Sequence, residues 1–298
     1  MSLFDRLVAQ VMRDHGDVTP LAMVVEKELL HHDILREMSG AGLLEKLTFM
    51  GGTCLRTCYG SSRLSEDLDF TGGDGFNREC LKNLPSLLVD RLLVKYGLNV
   101  EVSEPKREVG NVDTWKLKIV TRPEQRGMPV QRINIDICAV PSYDKRPMML
   151  RNYYGVDMGT SGLILQVESR EEILADKLIA LALRPGRIKN RDLWDIVWLK
   201  QQGILLTMEL LEKKIVDHRN TVEGFVTLLG NRREMLKVDD VLRVAFEQEM
   251  RRFLPSKIVV ETVENTTFWI YLTNIVTAEC DLVIGSLTGN IIQSPFKM

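Results

Sequence analysis

Apolar residues recur at helical spacing through LAMVVEKELLHHDILREM, from Leu21 to Met38, a stretch that opens after Thr19-Pro20 and closes before Ser39-Gly40. This predicts one amphipathic helix, with the adjacent His31 and His32 about 100° apart and solvated. KLTFM (Lys46 to Met50) reads as a short strand ended by Gly51-Gly52, Thr53 to Tyr59 as a short helix, and EDLDF (Glu66 to Phe70) as a second strand of alternating polarity. A further helix is predicted over Cys80 to Tyr96. NVEVSEP (from Asn99), DTWKLKIVT (from Asp113) and QRINIDICAV (from Gln131) follow as strands close enough in sequence to pair antiparallel, and GLILQVES (Gly162 to Ser169) is another apolar run. SREE at Ser169 to Glu172 is a capping-box pattern that opens a helix through Leu183. Beyond Pro185-Gly186 the periodicity is helical: DLWDIVWLKQQ, LTMELLEKKIVDH, DDVLRVAFEQEMRRFL and part of FWIYLTNIVTAECDLVIGSL, the last being β-rich in composition. The expected architecture is α+β. A mixed-sheet domain with an N-terminal helical segment spans residues 1–168, and a helical domain spans residues 169–298.

The 298 residues, 45% hydrophobic and 27% charged, suffice for one large core or two modest ones, and the absence of low-complexity tracts argues for a folded protein. A net charge of −2 gives no bulk attraction to nucleic acid, so any polyanion must be met by a local basic patch such as RPGRIKNR (Arg184 to Arg191), which Lys145, Arg146 and Arg151 could extend. The N-terminal MSLFDRLVAQVMRDHGD lacks the apolar core of a signal peptide, and no uninterrupted run of 18 apolar residues occurs, so a soluble cytoplasmic protein without membrane partners is expected. Five cysteines show neither a CxxC pair nor zinc spacing, so neither disulfide nor zinc is expected, and Cys54 and Cys58 read as small buried residues. Trp194 and Trp198, four residues apart, suit a buried helix face better than a base-stacking platform.

The chemistry concentrates in GGTCLRTCYGSSRLSEDLDF, Gly51 to Phe70. Alternate residues of a strand share a face, so Asp67 and Asp69 are neighbours; two such carboxylates suit Mg²⁺ or Mn²⁺. In INIDICA, Ile133, Ile135 and Ile137 share one face while Asn134, Asp136 and Cys138 share the other. If this strand lies beside EDLDF, Asp136 joins the other acids as a ligand set for in-line phosphoryl transfer. Gly51, Gly52 and Thr53 form a turn whose free N–H groups can cradle a triphosphate, and Arg63 and Ser65 can contact phosphate oxygens.

A glycine pair followed about a dozen residues later by DxD resembles the DNA polymerase β-like nucleotidyltransferase superfamily. GGTCLR, RLSEDLDF, EEILADKLIALALR and RDLWDI look like the AbiEii/AbiGii toxin family of nucleotidyltransferases, a resemblance covering roughly Met50 to Leu199. It implies a polymerase β-like domain followed by a helical domain, and a toxin of a toxin-antitoxin or phage-defence module that takes a nucleotide from an NTP. Some relatives transfer it to tRNA, so tRNA is the expected acceptor, an antitoxin protein the expected partner, and DNA is not expected. By motif, Gly52 and Thr53 would bind triphosphate, Asp67 and Asp69 the metals, and Lys177 the phosphates as a point charge, with Asp192 ranked above Asp195 as the later acid. Ser65 would lie beside the phosphates; in some relatives the matching serine is phosphorylated by the antitoxin. The chain departs from the superfamily pattern in carrying Thr53 where Ser is more typical. The alternatives are nucleotidylation of a protein, a non-catalytic nucleotide- or antitoxin-binding protein of the same fold, and a metal-dependent nuclease.

Overall fold

Ser2 caps the first helix, α1 (Leu3–Asp14): its hydroxyl accepts from the Asp5 N–H while the Asp5 carboxylate accepts from the Ser2 N–H. A computed structural model of the chain describes residues 2–105, 111–124, 130–238 and 240–289. Residues 290–298 and Asp239, both assigned to the helical domain from sequence, lie outside them. The chain divides into two compact units, Met1–Glu168 with Phe253–Pro255, and Ser169–Arg252 with Ser256–Met298.

In the first unit a 3-10 turn carrying Pro20 leads into α2 (Ala22–Gly40), the helix expected from Leu21 to Met38. Strand β1 (Thr48–Met50) runs into α3 (Gly51–Cys54), continued by a π-helical stretch (Leu55–Tyr59) that Gly60 ends at φ +95°. Next comes β2 (Leu68–Thr71), which begins one residue after Asp67. The helix expected from Cys80 splits into a 3-10 turn (Arg78–Leu81) and α4 (Leu84–Tyr96). The cause is Pro85, which has no N–H to donate and so fits only in a first turn. The remaining strands are β3 (Asn99–Ser103), β4 (Val112–Val120), β5 (Gln131–Cys138), β6 (Lys145–Met149) and β7 (Ile164–Glu168). Sequence patterning missed β6, because KRPMM has no alternation and contains a proline. It is an edge strand, where a missing N–H does no harm.

The seven strands form one mixed sheet in the order β3-β4-β5-β2-β1-β7-β6. β3, β4 and β5 pair antiparallel as expected, β2 is parallel to β5 and antiparallel to β1, and β1 is parallel to β7. One face is apolar: Leu68, Phe70, Trp115, Leu117, Ile133, Ile135 and Ile137 are all buried, each removal from water worth about 1.5–3 kcal/mol. α2 packs against β5 and α4 against β3. The alternate residues give the other face, which is polar.

The second unit is helical: α5 (Arg170–Leu183), α6 (Asn190–Gln201), α7 (Met208–Asp217), α8 (Val222–Val238), α9 (Asp240–Met250), α10 (Ser256–Glu261) and α11 (Thr266–Leu287). α5 packs on α6, α7 and α8, and α11 on α8 and α6. Ser169 caps α5 by accepting from the Glu172 N–H, but the Glu172 carboxylate instead holds the fully buried Lys214, 2.8 Å away, so only half of the predicted box forms. Among the described residues α11 alone is long and apolar enough to cross a membrane by length and composition. Leu272, Val276, Cys280 and Val283 are buried within the unit. Trp194 is buried too, its ring 5.7 Å from Phe268.

Candidate active site

Gly51 follows the extended Met50 at φ +74°, a conformation that only glycine adopts without strain. A Cβ there would also lie 2.6 Å from Asp69 Oδ2, and one on Gly52 would run into the Arg63 guanidinium and stand 3.2 Å from Ser65 Oγ. Both glycines are therefore fixed by side chains of the later motif, which occupy the space. The Thr53 hydroxyl donates to the Asp67 carbonyl, and the Thr57 hydroxyl to the Thr53 carbonyl at 2.8 Å. Since the Thr53 proton is committed to Asp67, the threonine ties the turn to the aspartates, and its N–H is what remains for an anion.

Strand register brings the acids together. Asp69 is the direct partner of Asp136 across β2 and β5, with Cα atoms about 4.8 Å apart at ordinary sheet spacing, and Met50 and Thr114 complete the row on β1 and β4. Asp67 precedes the strand and is held by its Oδ1, which accepts the Asn134 N–H at 3.0 Å. The acid just before them, Glu66, turns the other way: Lys27 of α2 pairs with its carboxylate at 2.7 Å and His31 donates to its carbonyl at 3.0 Å. The neighbouring Ser65 N–H is taken by Glu28 at 3.1 Å, and the Arg63 guanidinium donates to the Leu64 carbonyl at 2.9 Å. The Leu64 N–H reaches the Phe253 carbonyl at 2.8 Å.

The expectation of a solvated histidine pair is overturned. His31 and His32 are both buried, His32 sharing a hydrogen bond of 2.9 Å with the Thr160 hydroxyl. Desolvation pushes His31 down to about 3 and His32 to about 4, so both rings are neutral. Sequence reasoning missed the burial of Glu26, Glu28, His31, His32 and Asp33 around α2, because their partners lie far along the chain. Only the spacing of Lys27, Glu28 and His31, which puts them on adjacent turns of one helix, hinted at a common target.

Two or three carboxylates on one polar face fit a hard, oxygen-seeking cation. Among the described residues no three His, Cys, Asp or Glu side chains gather into a ready-made cage. Mg²⁺ is ordinarily held by one or two carboxylates, with waters and substrate phosphates completing the shell. The five cysteines are free thiols; Cys54, Cys58 and Cys280 are buried.

In the second unit, Lys177 is 2.7 Å from Asp192 Oδ1 and 2.8 Å from Asp195 Oδ2, with Arg184 at 3.4 Å from Asp192. Both acids thus hold the lysine. Burial pushes the Asp192 carboxyl up, but Lys177 and Lys189 outweigh it and leave the group below its usual value. Asn190 does not cap α6: the cap position is taken by Lys189, whose side chain does not cap the helix, and the Asn190 amide donates to Glu249 at 2.9 Å. Of the basic run, Arg184 and Arg191 are engaged in ion pairs and Arg187 is exposed.

A mixed sheet with a glycine turn beside paired aspartates, followed by a helical unit, is the fold of a nucleotidyltransferase. MenT4, the nucleotidyltransferase toxin Rv2826c from Mycobacterium tuberculosis H37Rv, shares it with a TM-score of 0.52 at 16% identity, over 94% of this chain and 98% of that one. JHP933 from Helicobacter pylori is similar with a TM-score of 0.43 at 15% identity, over 89% of this chain and 94% of that one. A comparison with curated protein sequences finds no match. Residues 33–269 match the family described as nucleotidyl transferase AbiEii toxin, Type IV TA system. The chain belongs to this family of nucleotidyltransferase toxins.

Proposed function

We infer that the chain transfers a nucleotide from an NTP to a hydroxyl of tRNA, as the toxin of a toxin-antitoxin pair acting in the cytoplasm, where NTPs are made. The observation that carries this reading is the direct pairing of Asp69 with Asp136, one step from the turn that Thr53 ties to Asp67. In this reading the N–H groups of Gly52 and Thr53 bind the triphosphate, with Arg63 and Ser65 against the same turn. Asp67 and Asp69 hold Mg²⁺ or Mn²⁺, with Asp136 as a third ligand, and the cation, when bound, offsets charge on the phosphates. Asp136 accepts the proton of the attacking hydroxyl as the new oxygen–phosphorus bond forms at the α-phosphate and pyrophosphate leaves. The resemblance assigns Lys177 and Asp192 to the same reaction, Lys177 as a phosphate ligand and Asp192 as the acid that orients it.

A polyanionic acceptor is supported by the sheet face itself. Moving along β4 and β5 from the row of Asp136 and Thr114, the next rows carry Lys116 beside Asn134, then Lys118 beside Arg132. Lys116 and Arg132 are exposed, and Lys118 pairs with Glu101 at 3.0 Å. Such a row can meet a phosphate backbone although the net charge is −2. Arg187 adds a further exposed cation on the second unit.

Purified protein incubated with each α-³²P-NTP, Mg²⁺ and bacterial RNA with lysate tests the reading, with Asp67→Ala as control. Label is expected in a tRNA-sized band with the wild type alone. Label in a polypeptide moves the acceptor to protein, shortened RNA identifies a nuclease, and no label with either form leaves a binding protein.

A further inference from the structure

Glu28 lies on α2 at 2% exposure, and both of its carboxylate oxygens are engaged by groups from other segments. Oε1 accepts the Ser65 N–H at 3.1 Å; Arg56 Nε stands 3.3 Å from the carboxylate; and the Tyr154 hydroxyl donates to Oε2. Arg56 belongs to the π-helical stretch that continues the glycine turn. Its guanidinium also donates to the Ser61 carbonyl at 3.1 Å and lies 4.3 Å over the Tyr153 ring. Ser65 precedes Asp67 by two residues. A single buried carboxylate therefore grips the helix that carries the phosphate-facing turn with one set of bonds, and the approach to the aspartates with another.

The surroundings make the grip stiff. Burial lowers the Arg56 guanidinium, but Glu28 and Tyr154 outweigh it and leave the group raised; the Tyr154 hydroxyl is raised by burial and then by Glu28. A buried ion pair whose oxygens are also hydrogen-bonded is costly to break, because either partner left alone keeps its desolvation cost. Lys27 and His31, one residue before and three after Glu28 on the same helix, secure the adjoining Glu66 through its carboxylate and its carbonyl. α2 thus presents three attachments, from Lys27, Glu28 and His31, to residues 65 and 66.

We propose that Glu28 is a positioning residue for nucleotidyl transfer: by bridging Arg56 and Ser65 it fixes the separation between the Gly51–Thr53 turn and Asp67. It touches neither nucleotide nor acceptor. This rests on the nucleotidyltransferase reading of the same site. An error of about 1 Å between two reacting parts can cost on the order of a hundredfold in rate, so a rigid spacer between them has a catalytic effect without chemistry of its own.

Two variants separate positioning from plain stability. Glu28→Asp keeps the charge for Arg56 but withdraws the carboxylate by one methylene, whereas Glu28→Gln keeps the reach to the Ser65 N–H and gives up the charge. Each is measured below its melting transition, per folded molecule by circular dichroism. The readouts are amide exchange of residues 61–67, binding of the four α,β-methylene NTPs with Mg²⁺, and kcat and KM for the labelled transfer. The expected result for Glu28→Asp is exchange at least tenfold faster in that segment and kcat at least tenfold lower. Glu28→Gln should keep more of the Ser65 protection and more of kcat, and it carries the comparison alone should Glu28→Asp fail to fold. Wild-type exchange and wild-type kcat per folded molecule in both variants would overturn the proposal while leaving the site intact. A wild-type protein that binds none of the four analogues would instead remove the nucleotidyltransferase reading, and the proposal with it.

Discussion

At Gly51 two constraints meet on one residue. The left-handed backbone disfavours any side chain by about 1–2 kcal/mol, and the space a methyl would fill belongs to the Asp69 carboxylate. Gly51→Ala should therefore lower the urea-unfolding free energy by at least that amount and displace Asp69, with transfer falling by more than tenfold in molecules that remain folded. An active, equally stable Gly51→Ala protein would contradict the packing described here. The glycines and the DxD were legible in the sequence because each is a local signal: a turn residue, or two like residues of one strand face. Thr53 was legible only in part. Its side chain reads as a phosphate donor until Asp67, fourteen residues on, is seen to take its proton. Glu66, next to Asp67 in sequence, gave no sign that Lys27 neutralises it.

Among elements, α2 departs furthest from its sequence pattern. Helical periodicity locates its span, but it assumes that polar residues face water, whereas on this helix Glu26, Glu28, His31, His32 and Asp33 are all buried. Such a helix carries a pH dependence. Both histidines have folded pKa values below the unfolded value near 6.5, so the unfolded chain binds more protons and stability falls as the pH drops through 6.5 toward 4. At pH 5 each histidine should cost about 2 kcal/mol relative to pH 7.5. Urea midpoints at the two pH values would show the loss, and His32→Gln should recover roughly half of it. Equal wild-type midpoints would mean that the rings are solvated after all. The other elements follow simpler rules. β2, β4 and β5 alternate cleanly because one face is buried, α4 starts where Pro85 permits, and β6 escaped notice because an edge strand needs no apolar face. α11 is helical despite its β-branched residues, since packing on α6 and α8 overrides a weak local preference.

For the whole molecule, the sequence suggested an α+β domain and a helical domain meeting near Ser169, and nothing in it hinted that Phe253–Pro255 cluster with the first unit. That return matters because the Phe253 carbonyl takes the Leu64 N–H, between Arg63 and Ser65. A fragment ending at Glu168 leaves this donor without its acceptor. We expect it to unfold at lower urea than the same unit in the full chain and to bind Mg²⁺-NTP at least tenfold more weakly; equal affinity would show that the return segment is dispensable. The same bond imposes an order on synthesis. A ribosome adding about 5–20 residues per second needs roughly 10–40 s to pass from Leu64 to Phe253. Once Asp192 has been added the growing chain carries Asp67, Asp69, Asp136 and Asp192, but it still lacks the Phe253 carbonyl that takes the Leu64 N–H. In this nucleotidyltransferase toxin family member, the last stitch of the loop before Asp67 therefore arrives 189 residues after Leu64 itself has been made.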